Sequence, residues 1–399
     1  MQPVNAGGEN GFVDRHCDAY FHRGGINVTH FHRNSAIGAV AVGLLLVVVL
    51  LVDAGCRPPK PKFTPAAEEL TELGGDAEPA LMDIANDFRV DGEDQVIEFD
   101  LREADDFSAI GEMFDHPKLR SLLLADSNAG DQELELIGKL PNLENLDLRG
   151  CPVSDAGIEH LRNLKKLKAL KLSGKKGKTM VTDRGFEVLG QIPTLKVLAA
   201  DFLPITDAGI ASLGPLRQVR ELYLAKTRIT GRSVSTIQGF GGLTKLRLAS
   251  TEFDDDGVAS IGSLTELVDL DVSECAAITD AAAKTFVKLP KLSKLNLYGT
   301  SLGDEAMDAL GTARQITWLN VDKTSVTDRG LVAIGNLDAL TFLHLGSTVV
   351  TNAGLDSLQE LKNLKKLIVT RTAVTADGVQ ALSAHLPSTE IQLEYEPGK

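Results

Sequence analysis

Residues 219–224 read Val219-Arg220-Glu221-Leu222-Tyr223-Leu224, and the same Leu-x-x-Leu-x-Leu phrase returns along most of the chain. Its copies begin at Val96, Leu119, Leu143, Leu167, Leu195, Val219, Leu243, Leu267, Leu292, Ile316, Leu340 and Leu364. A degenerate last copy begins at Ser388 and keeps Ile391 and Leu393. Nine of the twelve intervals are 24 residues, which excludes coincidence and makes the repeat the unit to interpret. Leu222 and Leu224 share one face of a strand because side chains alternate with period two, and Tyr223 points the other way. A loop and a second apolar patch follow, clearest as Val326, Leu331 and Ile334 around Thr327-Asp328-Arg329-Gly330. Thr327 can cap the orphan N–H groups of a short helix, and Asp328 sits in its positive first turn. The same Thr/Ser-Asp-x-Gly phrase stands at 154–157, 182–185 and 206–209. Each unit therefore reads strand, loop, short helix, return. No unit can bury its leucines alone, so neighbours must stack.

About 13 such parallel strands at ~4.8 Å make a concave sheet roughly 60 Å along its arc, with short helices on the convex side. The fold class is α/β, an open solenoid. Composition agrees. Of 399 residues 43% are hydrophobic, yet only 19 are aromatic and 58 are Leu, so the apolar content is aliphatic. That much burial potential excludes disorder. Four Cys in this length cannot be a disulfide framework. A net charge of -14 argues against a nucleic-acid binder, because phosphate attracts basic surfaces. One long apolar run is too few for a polytopic membrane protein.

Three residues after the last strand leucine stands Thr, at Thr227, Thr251, Thr300, Thr324, Thr348 and Thr372, or Cys, at Cys151 and Cys275. With the period and the Thr-Asp-x-Gly phrase, this resembles the leucine-rich repeat family over roughly three quarters of the chain. It resembles in particular the cysteine-containing subclass, known from the substrate-binding halves of F-box proteins. It is also similar to bacterial secreted or anchored leucine-rich-repeat proteins. No F-box-like helical segment precedes the repeats. The resemblance implies a horseshoe that works by binding. Cys151 and Cys275 lie five repeats apart, roughly 24 Å at sheet spacing. A disulfide needs Cα atoms within about 7 Å, so free, buried thiols are expected.

Before the repeats, residues 36–52 are uncharged and apolar, ~26 Å as a helix and the low end for a bilayer span. Asp53-Ala54-Gly55-Cys56 follows, which resembles a bacterial lipoprotein signal with Cys56 as the lipid-attachment residue. Asp53 departs from that pattern, which wants an apolar residue there. An uncleaved signal anchor is the other reading, and both stand. Arg23 and Arg33 flank the run on one side and Arg57, Lys60 and Lys62 on the other, which weakly opposes export. A processed leader is not governed by that count alone. The expectation is a membrane-anchored protein whose repeat domain is extracytoplasmic, in a bacterial cell envelope. The expected organisation is a tail at 1–35, the anchor or signal at 36–56, a Pro-rich linker at 57–63, an N-terminal cap at 64–95, repeats at 96–387 and a C-terminal cap at 388–399. Within the first cap, Thr64-Pro65 reads as a helix start. Leu81, Ile84, Ala85 and Phe88 fall at helical spacing, and residues 88–101 alternate around Asp91-Gly92 like a hairpin.

Several stretches resemble chemical motifs without meeting their requirements. His16, His22, His30 and His32 lie near Cys17 at no zinc spacing. Gly299-Thr300-Ser301-Leu302-Gly303 fits the nucleophile-elbow expression, but Thr300 is a ladder residue and Leu302 a core one, so a repeat turn is expected. Gly177-Lys178-Thr179 ends like a phosphate loop, yet Leu172 occupies the place of its first glycine. Residues 252–257 are rich in Asp like a calcium loop, but Ser263 stands where the closing Glu belongs. No catalytic residue, metal or cofactor is expected.

Two features point to binding. The 28-residue interval after Leu167 enlarges one turn into a loop carrying Lys175, Lys176 and Lys178, with Lys165, Lys166, Lys168 and Lys171 just before it. The loop is either simply solvated or a contact for an acidic partner or lipid head group. The strand phase gives the stronger signal. Tyr223, Lys294, Asn296, Tyr298, Trp318, Asn320, Asp322, Phe342, His344 and Arg371 are read as outward residues on the concave face. The only Trp lies beside Phe342 of the next strand, and neither has a leucine's role. An exposed aromatic pair among polar groups suits a binding hot spot. The function expected is a non-enzymatic protein–protein interaction module. The alternatives are a structural envelope spacer without a dedicated ligand, or a substrate-recognition subunit of an enzyme complex, as the F-box resemblance implies.

Overall fold

A computed structural model describes residues 81–394, all within one compact unit, Asp76–Tyr395. The tail, the apolar run, Cys56, the linker, the leader histidines, the Thr64-Pro65 start and Tyr395 lie outside the described residues. The strands are β1 Asp87–Val90, β2 Val96–Asp100, β3 Ser121–Leu123, β4 Asn145–Asp147, β5 Ala169–Ser173, β6 Val197–Asp201 and β7 Glu221–Tyr223. They continue as β8 Lys245–Arg247, β9 Asp269–Asp271, β10 Lys294–Asn296, β11 Trp318–Asn320, β12 Phe342–His344, β13 Lys366–Ile368 and β14 Glu390–Gln392. All 14 form one sheet in strict chain order. From β2 onward the pairing is parallel, and the leucine phrase sets its register, with Leu222 beside Leu246 and Leu246 beside Leu270. Strands lie closer together than helices can pack, so the sheet takes the inner side of the curve and the helices the outer.

β1 differs, pairing antiparallel with β2 as a hairpin. The Asp91 carboxylate accepts the backbone N–H groups of Glu93 and Gln95 and shapes its turn. The helical spacing read through Phe88 is corrected here. The helix is Leu81–Ile84, and the Asn86 N–H then donates to the Asp100 carbonyl at 2.7 Å, so the chain enters the sheet. Phe88 is a strand residue and is exposed. The short outer elements are also not uniformly α-helical. Ile110–Asp115, Gly231–Ser233 and Asp280–Ala282 are 3-10 turns.

One continuous core runs from Leu81 to Leu386. In the repeat that begins at Val219, Leu222 and Leu224 are sealed from the strand side and Ile229, Ile237 and Phe240 from the outer side. Each such side chain contributes roughly 1.5–3 kcal/mol on burial. The turn after each strand carries a residue at positive φ: Lys226, Ser250, Glu274, Lys323, Ser347 and Arg371 are examples. The Thr next in line holds that turn closed. The hydroxyls of Thr227, Thr251, Thr300, Thr324, Thr348 and Thr372 each donate to the carbonyl three residues earlier, at 2.6–2.7 Å. Cys151 and Cys275 reach instead to carbonyls of the preceding repeat, Leu124 at 2.9 Å and Leu248 at 3.2 Å. Both are free and buried.

The Thr-Asp-x-Gly phrase proves to be an inter-repeat clamp as well as a cap. Thr327 accepts the Arg329 N–H and so caps the helix Asp328–Ile334. The Asp acts one repeat further on. Asp304 accepts the Thr327 N–H at 2.8 Å, the Thr327 hydroxyl at 2.7 Å and the Gly330 N–H at 3.1 Å. Asp155 holds Thr182 and Gly185 in the same way, and Asp131, Asp183 and Asp328 hold Ser154, Thr206 and Thr351. The glycine is required by this approach, since a Cβ on Gly330 would lie 2.5 Å from Asp304 Oδ1.

Candidate binding surface on the sheet

Because the strands are in register, the outward positions form rows across the face. One row runs Glu221, Lys245, Asp269, Lys294, Trp318, Phe342, Lys366, Glu390 from β7 to β14. The next runs Tyr223, Arg247, Asp271, Asn296, Asn320, His344, Ile368, Gln392. The two rows divide the face into regions of different chemistry.

Over β6 to β10 the charges answer one another. Arg247 bridges Asp201 at 3.0 Å and Asp271 at 3.2 Å, all three largely buried. Lys245 pairs with Glu221 at 3.1 Å, and Lys294 lies 4.0 Å from Asp269. The Tyr223 hydroxyl donates to Glu221 at 2.7 Å. Burial raises the Asp201 and Asp269 carboxyls above the usual range, against the pull of Arg247 and Lys294. Burial, with the Glu221 carboxylate beside it, also pushes the Tyr223 hydroxyl up. The carboxylates of this network and the cations Lys245 and Arg247 were not among the residues singled out from sequence. For part of the network the signal was present as opposite charges at one phrase position in successive copies, Glu221, Lys245, Asp269, Lys294.

Over β10 to β13 the face is aromatic. Trp318 and Phe342 occupy the same position on neighbouring strands, and their rings stack in parallel, centroids 4.7 Å apart and 4° between planes. That separation is the strand spacing itself. His344, two residues on from Phe342, holds its ring parallel as well, 6.5 Å away, with Nδ1 3.4 Å from an Asp322 carboxylate oxygen. The ring faces are turned along the row toward neighbouring strands, so the ring edges face out from the sheet. Asn296 and Asn320 each accept their own chain's N–H two residues on, at 3.2 Å and 2.9 Å, so the side-chain oxygens are engaged within their own turns. The Lys323 ammonium sits 5.9 Å from the Tyr298 ring centre. Lys366 pairs with Glu390 at 2.9 Å.

The structure thus brings together Lys294, Asn296, Tyr298, Trp318, Asn320, Asp322, Phe342 and His344. It separates Tyr223, which belongs to the charged network four strands away from Trp318. It also corrects Arg371, which is not on the sheet face. With Leu367 and Val369 pointing inward, Arg371 falls in the following turn, at φ 57°. The lysine loop follows β5 and is remote from the aromatic pair. Lys176 pairs with Asp126 at 2.9 Å, and Lys178 reaches Asn128 at 3.4 Å, so the loop leans on earlier repeats. Its Thr179 donates to the Cys151 carbonyl and keeps the turn closed despite the extra residues.

The lookalike motifs resolve into repeat geometry. The Ser301 hydroxyl donates to the Ala276 carbonyl at 2.8 Å, and Leu302 is buried. Asp254 caps the helix Asp255–Ile261, and Asp255 clamps Thr279 of the next repeat. Among the described residues no group of His, Cys, Asp and Glu could hold a metal ion, and no helix is long and apolar enough to cross a membrane.

A family model described as leucine-rich repeat matches residues 139–161, the copy that holds Cys151 and the clamp residues Ser154 to Gly157. Among solved structures, an internalin (inlF) from Listeria monocytogenes is similar at 19% identity, covering 76% of this chain and 80% of that one, with a TM-score of 0.57. An internalin C2 from the same organism matches at 22% identity over 47% of this chain and 76% of that one, with a TM-score of 0.38. Period, sheet, clamp and family match agree: the chain has the fold of a leucine-rich-repeat solenoid.

Proposed function

We propose that the protein is a non-enzymatic interaction module that binds a protein partner on the concave face of its C-terminal half. The observation that carries this reading is the Trp318–Phe342 stack. Both residues lie on the sheet side, while the core is supplied by Leu319 and Leu343 beneath them. Aromatic anchors of this kind dominate binding energies at protein interfaces. Over β6 to β9 the matched charges favour a scaffolding role, so the binding region is placed at β10 to β13. Attachment to a membrane through residues 36–52 or a lipidated Cys56 is part of the same proposal and rests on the apolar run in the sequence. An alkaline phosphatase fusion after Lys62 tests it, and absence of activity outside the cytoplasm would sink the export reading.

The binding proposal is tested by crosslinking capture from envelope membranes, comparing the wild-type chain with Trp318→Ala combined with Phe342→Ala. The expected result is loss of the captured partner at an almost unchanged melting temperature. Capture that survives both substitutions would remove the aromatic pair from the interface and favour the spacer reading.

A further inference from the structure

Resting on that interaction reading, we infer that the partner presents an extended acidic segment with an apolar side chain, seated across the Trp318–Phe342 edges between Lys294 and Lys366. Three independent features of the surface converge on this chemistry. The first is local charge. The chain as a whole carries -14, yet around the aromatic pair Lys294, Lys323 and Lys366, with Arg371 in the adjoining turn, stand against Asp269, Asp322 and Glu390, so the local excess of acid is gone. Lys294 and Lys366 bracket the stacked rings in register, one strand to either side.

The second feature is the balance of donors and acceptors. Asn296 and Asn320 use their side-chain oxygens on their own turns. With those oxygens engaged, what the two amides still offer a partner is N–H donors, as the lysine ammonium groups do. Carbonyl and carboxylate oxygens suit such a row.

The third is the orientation of the rings. A cationic partner would need open aromatic faces, where the ring quadrupole is negative. Trp318 and Phe342 spend facing surfaces on each other and present their edges, where the quadrupole is positive. Edges accept oxygen atoms and alkyl groups. A flat anionic bilayer cannot follow a sheet that curves inward, which favours a chain that can lie along the row.

Trp318 is the only tryptophan of the chain, so its intrinsic emission reports this site without a label. The full chain is titrated with three tryptophan-free peptides, alternating Glu/Leu, Gln/Leu and Lys/Leu, and with phosphatidylglycerol vesicles. The inference expects a saturable emission change with the Glu/Leu peptide only, weakened by salt. Lys294→Gln combined with Lys366→Gln should weaken it about three- to tenfold, the range for exposed ion pairs. A response to the Gln/Leu or Lys/Leu peptide of equal strength overturns the acidic assignment while leaving the aromatic surface in use. A response to vesicles alone also overturns it, in favour of lipid. Silence with every probe overturns it as well, and the capture experiment then decides separately whether the face binds at all.

Discussion

Replacing Gly330 by Ala separates two opposed effects at one atom. Gly330 lies inside the helix Asp328–Ile334 without a positive φ. Helix propensity alone therefore predicts that Ala stabilises by up to about 1 kcal/mol. The clamp predicts the opposite. The new Cβ would meet Asp304 Oδ1 at 2.5 Å, so the carboxylate must leave its place. It then loses the Thr327 N–H, the Thr327 hydroxyl and the Gly330 N–H. Hydrogen bonds to a charged group contribute about 1.5–3 kcal/mol each, and with partial relaxation the net cost should be about 2–3 kcal/mol after the propensity gain. In an Asp304→Ala background the obstacle is gone. The remaining neighbours are Met307 Cγ and Val326 Cγ1, both at 3.2 Å, and need yield only slightly. There the same substitution should cost less than about 1 kcal/mol or stabilise, a coupling of about 2 kcal/mol. Urea unfolding of the four proteins followed by circular dichroism measures the cycle. Equal effects of Gly330→Ala in both backgrounds would refute the clamp.

Neighbouring residues on β12 should respond in opposite ways. Leu343→Ala removes a fully buried side chain and should cost about 2–5 kcal/mol, whereas Phe342→Ala should cost about 1 kcal/mol and act on binding instead; thermal melts and capture assays separate the two. The Cys151 thiol is buried and desolvation pushes its pKa up to about 11, so maleimide should not label it in the folded protein at neutral pH but should label it in denaturant, read by mass spectrometry of its peptide. Asp207 is opposed by burial, yet bonds from Ser233 and Thr230 hold its carboxyl below the ordinary value. Its contribution to stability is therefore present above about pH 4 and is lost as pH falls through the lowered value. Asp207→Asn should flatten the acid limb of the stability curve, and an unchanged limb would contradict that assignment.

The fold was legible because the repeat states the same instruction many times. The leucine pair of each strand, the Thr cap and the spacing of cysteines 151 and 275 all follow from alternation and period. The clamp was not legible, since Asp304 acts on Thr327 and Gly330 of the next copy, and a single unit gives no reason for the glycine beyond turn preference. The helical spacing misled at Phe88, where the ladder bond from Asn86 outweighs a weak helical pattern, while the alternation from Phe88 onward did mark the hairpin. For the surface, the aromatic pair followed from strand phase alone. The misplacement of Arg371 was a slip of one position past Thr370, the residue that follows the inward Val369, and period two sends a single slip to the other side of the chain. The alternation Glu221, Lys245, Asp269, Lys294 was open to reading, whereas the Asp201–Arg247–Asp271 bridge was hidden because it joins three separate copies, with Asp201 at a different phrase position from the other two.

The central claim is that a partner docks on the edges of the Trp318–Phe342 stack, and oxidative footprinting of the captured complex tests it most directly. The claim predicts strong protection of Trp318, Phe342 and Tyr298 in the complex, while Met180 beside the lysine loop and Val332 on the outer helix, both about two-thirds exposed, remain as reactive as in the free protein. Unchanged reactivity at Trp318 together with protection at Met180 or Val332 would contradict it.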